Sequence, residues 1–245
     1  MNVYDKIGQY GWYGLLEGAD RTANGDTWFV DSNSGNKANT AGTGQGASWD
    51  LPFSTLNYAI SRCSNDGGDV IFVAAGHTET IADTSALNQS GTVTDELCLD
   101  KSGVSIIGMG VGTNRPTFTF SGATDAVFEI RAADCCVKNL ILVSNLEDVA
   151  TLIDISNSND GTIIEGCEFR DSGSSLEHLL AIDISANADD TTIRGCQFYN
   201  TDANTANTAA IKTAGAEARL KIYDNFFRGD WQAAVLDLDA AATTD

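Results

Sequence analysis

A repeat of roughly 29 residues dominates the second half of this 245-residue chain. The segments Val137-Lys138-Asn139-Leu140-Ile141-Leu142, Ile164-Glu165-Gly166-Cys167-Glu168-Phe169, Ile193-Arg194-Gly195-Cys196-Gln197-Phe198 and Ile222-Tyr223-Asp224-Asn225-Phe226-Phe227 align, with starts 27, 29 and 29 residues apart. A second series precedes them: Phe128-Glu129-Ile130, Ile153-Asp154-Ile155, Ile182-Asp183-Ile184, Ile211-Lys212-Thr213 and Leu236-Asp237-Leu238. A fixed period with two short strands per repeat specifies a solenoid, in which each repeat buries its apolar face only against its neighbours.

The second series alternates apolar and polar residues, so one face of that strand is buried. In the first series the alternation breaks at the third position, which holds Asn139, Gly166, Gly195 and Asp224. These residue types tolerate a left-handed backbone, and a sharp bend is expected there. Beyond the bend, Leu140, Cys167, Cys196 and Asn225 form one inward column. Leu142 and the core stack Phe169, Phe198 and Phe227 form another. Columns repeating at the inter-strand spacing of about 4.8 Å make a continuous core without helices. Ile106-Ile107-Gly108-Met109 is a weaker, earlier copy. The fold class expected from the repeat is all-β, a parallel β-helix of about six turns.

The front of the chain departs from the repeat. Residues 1–25 carry Tyr4, Tyr10, Trp12 and Tyr13 among glycines. They read either as an arm docking on a neighbouring subunit or as a strip covering the chain's own β-helix. Residues 26–68 hold a strand at Thr27–Asp31, a polar loop from Ser32 to Ser48, and a short helix. Ser54 is the expected N-cap, with Leu56, Ala59, Ile60 and Cys63 on one face. Residues 69–245 are read as the β-helix, with Asp69–Gly76 as its first core strand.

This order (WFVDSNSG strand, polar loop, PFSTLNYAI helix, GGDVIFVAAGHTETI, then coils) resembles the entry of pectate-lyase-like right-handed β-helix proteins. The resemblance covers Trp28 to about Gly110 by motif order and the coils to Leu238 by repeat. It implies the right-handed form of the β-helix, and that the short helix plugs the open first turn. It also implies two very different occupations, since such proteins serve as bacteriophage tailspikes and other virion parts and as polysaccharide enzymes.

Charge narrows the choice of partner. With 14 basic and 34 acidic residues the net charge is −20, which disfavours a nucleic-acid partner or an anionic membrane surface. No apolar run approaches a membrane span, and residues 1–25 lack the apolar core of a secretory signal. The outward residues Glu129, Asp154, Asp183, Lys212 and Asp237 stack in one column. They read foremost as a solvated acidic face, with a cation or a basic partner surface as alternatives. The six cysteines show no CxxC pair, and Cys167 and Cys196 fall on a core column, so buried free thiols are expected, with one of Cys135 and Cys136 facing in. No metal site and no cofactor are implied.

Catalysis on such a fold needs convergent acids, or a calcium cluster with a basic residue. Asp189, Asp190 and Asp202 are the candidates, with Asp171 and Glu177 nearby. Asn200-Thr201-Asp202 and Asp189-Asp190 resemble polygalacturonase motifs, but in reversed order and without that family's His-Gly and Arg-Ile-Lys signatures. They are read as turn residues. His178 is read as a loop residue rather than a base. Leu236-Asp237-Leu238 begins a turn close to Asp245, so Leu236 and Leu238 join the arm aromatics as expected interface residues.

The reading is therefore a virion structural protein, made in the host cytoplasm, acting through multi-copy assembly as a capsid decoration, spike or tail-associated part. Its partners would be other virion proteins and copies of itself, with a host-surface glycan as a further candidate. The alternatives are a polysaccharide lyase or hydrolase, and a non-viral adhesin or surface-layer protein.

Overall fold

The computed structural model describes residues 25–82, 97–200, 208–215 and 218–238. After an entry strand β1 (Thr27–Val30) and a helix α1 (Leu56–Arg62) the chain climbs through six coils of three strands. These are β2 (Val70–Val73), β3 (Thr78–Ile81) and β4 (Leu97–Leu99); β5 (Ser105–Gly108), β6 (Thr117–Phe120) and β7 (Phe128–Ile130); β8 (Cys136–Lys138), β9 (Ile141–Ser144) and β10 (Val149–Ile155). Then come β11 (Ile163–Glu165), β12 (Glu168–Asp171) and β13 (His178–Ile184); β14 (Thr192–Arg194), β15 (Gln197–Tyr199) and β16 (Ala209–Thr213); β17 (Lys221–Tyr223), β18 (Phe226–Arg228) and β19 (Ala234–Leu238).

Equivalent strands stack into three parallel sheets. The first runs β1-β2-β5-β8-β11-β14-β17, the second β4-β7-β10-β13-β16-β19, and the third β3-β6-β9-β12-β15-β18. This is a right-handed parallel β-helix, with the parallel stacking that the repeat requires. The four bends have φ of 60° at Asn139, 62° at Gly166, 61° at Gly195 and 55° at Asp224. Left-handed backbone turns the chain from the first sheet into the third within two residues. The freed amides point to the next coil: Gly166 N–H donates to Arg194 O at 3.0 Å, and Gly195 N–H to Tyr223 O at 3.3 Å. The early copy differs. Gly108 stays in strand β5, the positive φ moves to Gly110 (89°), and Asn139 Nδ2 donates to the carbonyls of both glycines.

The inward columns are as the repeat spaces them. Phe169, Phe198 and Phe227 stack with ring centroids 4.8 Å apart and planes 5° and 12° from parallel. Strand register fixes that geometry, because Phe169 pairs with Phe198 and Phe198 with Phe227. Leu140, Cys167 and Cys196 are fully buried, and Asn225 ends their column by accepting from Cys196 N–H (2.9 Å) and donating to Ile193 O (2.9 Å). None of the six cysteines forms a disulfide, and burial pushes the Cys167 thiol up to about 12, so it packs as a hydrophobe. Cys135 joins the core while Cys136 is on the opposite face of its strand. One thus faces in and the other out, as their adjacency suggested, and both are covered.

Helix α1 packs Leu56, Ala59 and Ile60 against β1, β2 and β4, covering the front of the core. Its N-cap is Thr55, whose side chain accepts from Tyr58 N–H, and not Ser54. The reason lies upstream. Phe53 is held as a bridge to Val30 by bonds to Phe29 O and from Asp31 N–H, so the chain is still extended at Ser54. Ser54 N–H is instead taken by Asn39 Oδ1. The polar loop thus has a packing role, and Trp49 from its end stacks edge-on against Phe29 at 4.7 Å.

Candidate functional site

The sequence-derived acids occupy turns. Asp190 has φ 57° and binds the Arg219 guanidinium through both carboxylate oxygens at 2.6 Å, which holds its pKa below the ordinary value. Asp189 accepts from Ala218 N–H, and Asp160 accepts from Asp189 N–H, one coil below. These carboxylates tie successive turns together along the axis. Asp202 lies outside the described residues, as do Tyr4, Tyr10, Trp12 and Tyr13. Leu236 and Leu238 are 37 % and 49 % exposed although their column faces inward.

His178 is not a loop residue. It opens β13 and is buried, and desolvation lowers its pKa to about 4, so it is neutral at neutral pH. Asp171 closes β12 and is buried, as is Glu177. A second histidine, His77 in the first coil, is also buried. His77 Nδ1 accepts from Ser32 N–H (2.9 Å), which leaves Nε2 to donate to Glu79 Oε2 (3.1 Å). The same Glu79 oxygen accepts from Leu56 N–H at 2.9 Å, at the start of α1. Glu79 occupies the first position of the inward Phe118-Leu142-Phe169 column, so this pair joins the helix to the first coil. It serves the cap.

Three outward columns carry the rest of the chemistry. On the first sheet Lys138, Glu165, Arg194 and Tyr223 alternate in character. Lys138 Nζ lies 2.9 Å and Arg194 Nη2 2.8 Å from the Glu165 carboxylate, and Arg194 Nη1 donates to Tyr223 Oη at 3.2 Å. On the second sheet Cys98, Glu129, Asp154, Asp183, Lys212 and Asp237 are in register. Here the expectation of a solvated face needs correction. Glu129 is buried between Arg131 Nε (2.5 Å) and Ser156 Oγ (2.9 Å), and Asp154 and Asp183 are half-buried. Desolvation, then the neighbouring Glu129 and Asp183 charges, raise Asp154 to about 6. Desolvation likewise raises Asp183, which Lys212 partly offsets.

On the third sheet Arg170, Tyr199 and Arg228 share a column. With Val143, Glu168, Asp171, Ser172 and Asn200 they line an open groove of about 850 Å³. Glu168 is shared by Arg115 and Arg170. Among the described residues, no group of three His, Cys, Asp or Glu side chains is placed to hold a metal ion, and no helix is long and apolar enough to cross a membrane.

No protein-family model matches the chain, and no curated protein matches it. Among solved structures, a rhamnogalacturonan lyase is similar at TM-score 0.46 and 14 % identity, over 87 % of this chain. The chain spans 60 % of the length of that lyase. At this level the class of protein is defined by its architecture, a short acidic right-handed parallel β-helix.

Proposed function

We propose that the chain is a multi-copy structural component of a virion, acting through assembly rather than catalysis. The observation that carries this reading is an aromatic surface on the last coils. Tyr223 and Phe226 are 42 % and 52 % exposed, and Tyr199 lies 5.9 Å from Phe226. Tyr223 and Phe226 belong to outward columns, so their rings stand on the surface and not in the core. Exposed aromatic side chains interleaved with arginines have the composition of interface anchors. The commitment of Asp189 and Asp190 to turn contacts also favours a scaffold. In this reading residues 1–25 supply a docking arm through Tyr4, Tyr10, Trp12 and Tyr13, and Leu236 and Leu238 lie at a subunit contact. Other virion proteins and copies of the same chain are the partners. Deletion of residues 1–25 is expected to leave a folded β-helix that no longer joins its particle; full incorporation of the deleted form would remove the arm from the account.

One observation favours a second reading, cleavage of a polysaccharide. Glu129, Asp154 and Asp183 stand on successive coils, so adjacent members are roughly one strand spacing, about 4.8 Å, apart. Asp154 near 6 beside the arginine-paired Glu129 has the unequal environments of an acid and a carboxylate partner. The structural reading predicts no release of reducing ends or unsaturated sugars from acidic polysaccharides. Release that disappears in Asp154→Asn or Asp190→Asn would replace it with the enzymatic one.

A further inference from the structure

The second and third sheets carry matched charge sequences on the same three coils. Strands β12 and β13 belong to one coil, β15 and β16 to the next, and β18 and β19 to the one after. The outward column of the third sheet reads Arg170, Tyr199, Arg228 over these coils. That of the second sheet reads Asp183, Lys212, Asp237. One face is therefore cation, ring, cation, and the other anion, cation, anion.

Both columns are incompletely paired within the chain. Arg228 is exposed and takes part in no ion pair among the described residues. Arg170 is 3.3 Å from Glu168, but Glu168 is shared with Arg115. Across the molecule, Asp183 and Asp237 are half-buried, and Asp237 takes part in no ion pair among the described residues. Arg170, Tyr199 and Arg228 line the open groove, whose walls leave room for side chains from another surface.

We propose that two copies of this chain associate side by side with their axes parallel, the second-sheet face of one copy filling the third-sheet groove of the next. The inference rests on the multi-copy reading and names the contact it uses. Coil by coil, Asp183 meets Arg170, the Lys212 ammonium meets the Tyr199 ring, and Asp237 meets Arg228. Because both partners are the same solenoid, their coil spacing is identical and the three contacts are made at once. The antiparallel arrangement also matches three coils but leaves the others overhanging. The parallel one overlaps all six, setting Asp154 against Val143, Glu129 against Thr119 and Cys98 against Thr80, with no like charges opposed along these two columns. The contact is heterologous, so each copy uses both faces and the series ends when a ring closes. It also addresses the charge of −20: copies otherwise repel, and the groove's arginines face the partner's acids.

The test is sedimentation velocity of the purified full chain over a concentration series, with three variants. Wild type is expected to associate. Arg228→Glu, at an exposed position, should weaken association on the order of 10-fold, and Arg170→Glu with Arg228→Glu on the order of 100-fold, with unchanged circular dichroism. Adding Asp183→Arg and Asp237→Arg to that pair reverses both faces and should restore association. Wild type that stays monomeric at its highest soluble concentration overturns the interface, while the multi-copy reading is judged separately by copy number in particles. Wild type and Arg228→Glu associating equally overturns this face and leaves the multi-copy reading standing.

Discussion

At single residues, the bends and the aromatic stack make the sharpest demands. Gly195 has φ 61°, and open space surrounds the position a Cβ would take, with Gly166 N the nearest atom at 3.9 Å. A β-branched residue there is opposed by its own backbone conformation rather than by a neighbour. Gly195→Val should therefore lower the melting temperature well beyond Arg194→Val, which loses surface contacts such as those to Glu165 and Tyr223. Equal melting temperatures would mean that the bend absorbs the change. Phe198 sits between two rings at 4.8 Å and is 1 % exposed. Phe198→Ala should cost on the order of 3–5 kcal/mol in denaturant unfolding.

At the scale of strands and columns, the repeat made the register legible because a solenoid copies one local pattern many times. Asn139, Gly166, Gly195 and Asp224 could be read as bends since each is a residue type that tolerates φ near 60°. The N-cap was misplaced by one residue because a tertiary bridge, Phe53 to Val30, decides where the chain stops being extended. His77 and Glu79 gave no signal because their partners, Ser32 and Leu56, are 45 and 23 residues away. The acidic column was visible by spacing, but its burial was not, since periodicity does not say what covers an outer face. That burial has a pH consequence. Asp154 is raised from 3.8 to about 6, so its protonated form is favoured on folding. The associated stability is fully present below pH 4 and is lost as pH rises through 6. Asp154→Asn should therefore be more stable than wild type at pH 7, on the order of 1 kcal/mol after solvent screening. The difference should vanish near pH 4, as thermal melts at the two pH values would show. A constant difference across that range would mean that Asp154 is not held protonated by the column.

For the whole molecule, the architecture separates what the fold supplies from what the surface adds. The core is a continuous stack, so function resides on faces and edges, and three outer columns differ in kind: alternating charges, a half-buried acidic ladder, and an arginine–tyrosine groove. Of the sequence's site candidates, Asp189 and Asp190 bond across turns to the next coil. The groove was missed because Arg170, Tyr199 and Arg228 come together only when the 29-residue spacing is read outward as well as inward. The proposed function is that the chain works as a multi-copy part of a particle. Its most direct test is quantitative mass spectrometry of purified virions from the producing system. The account predicts this chain at a constant copy number above one per particle, resistant to washing. Its absence from particles, with the intact protein recovered as a free secreted monomer, would contradict the account.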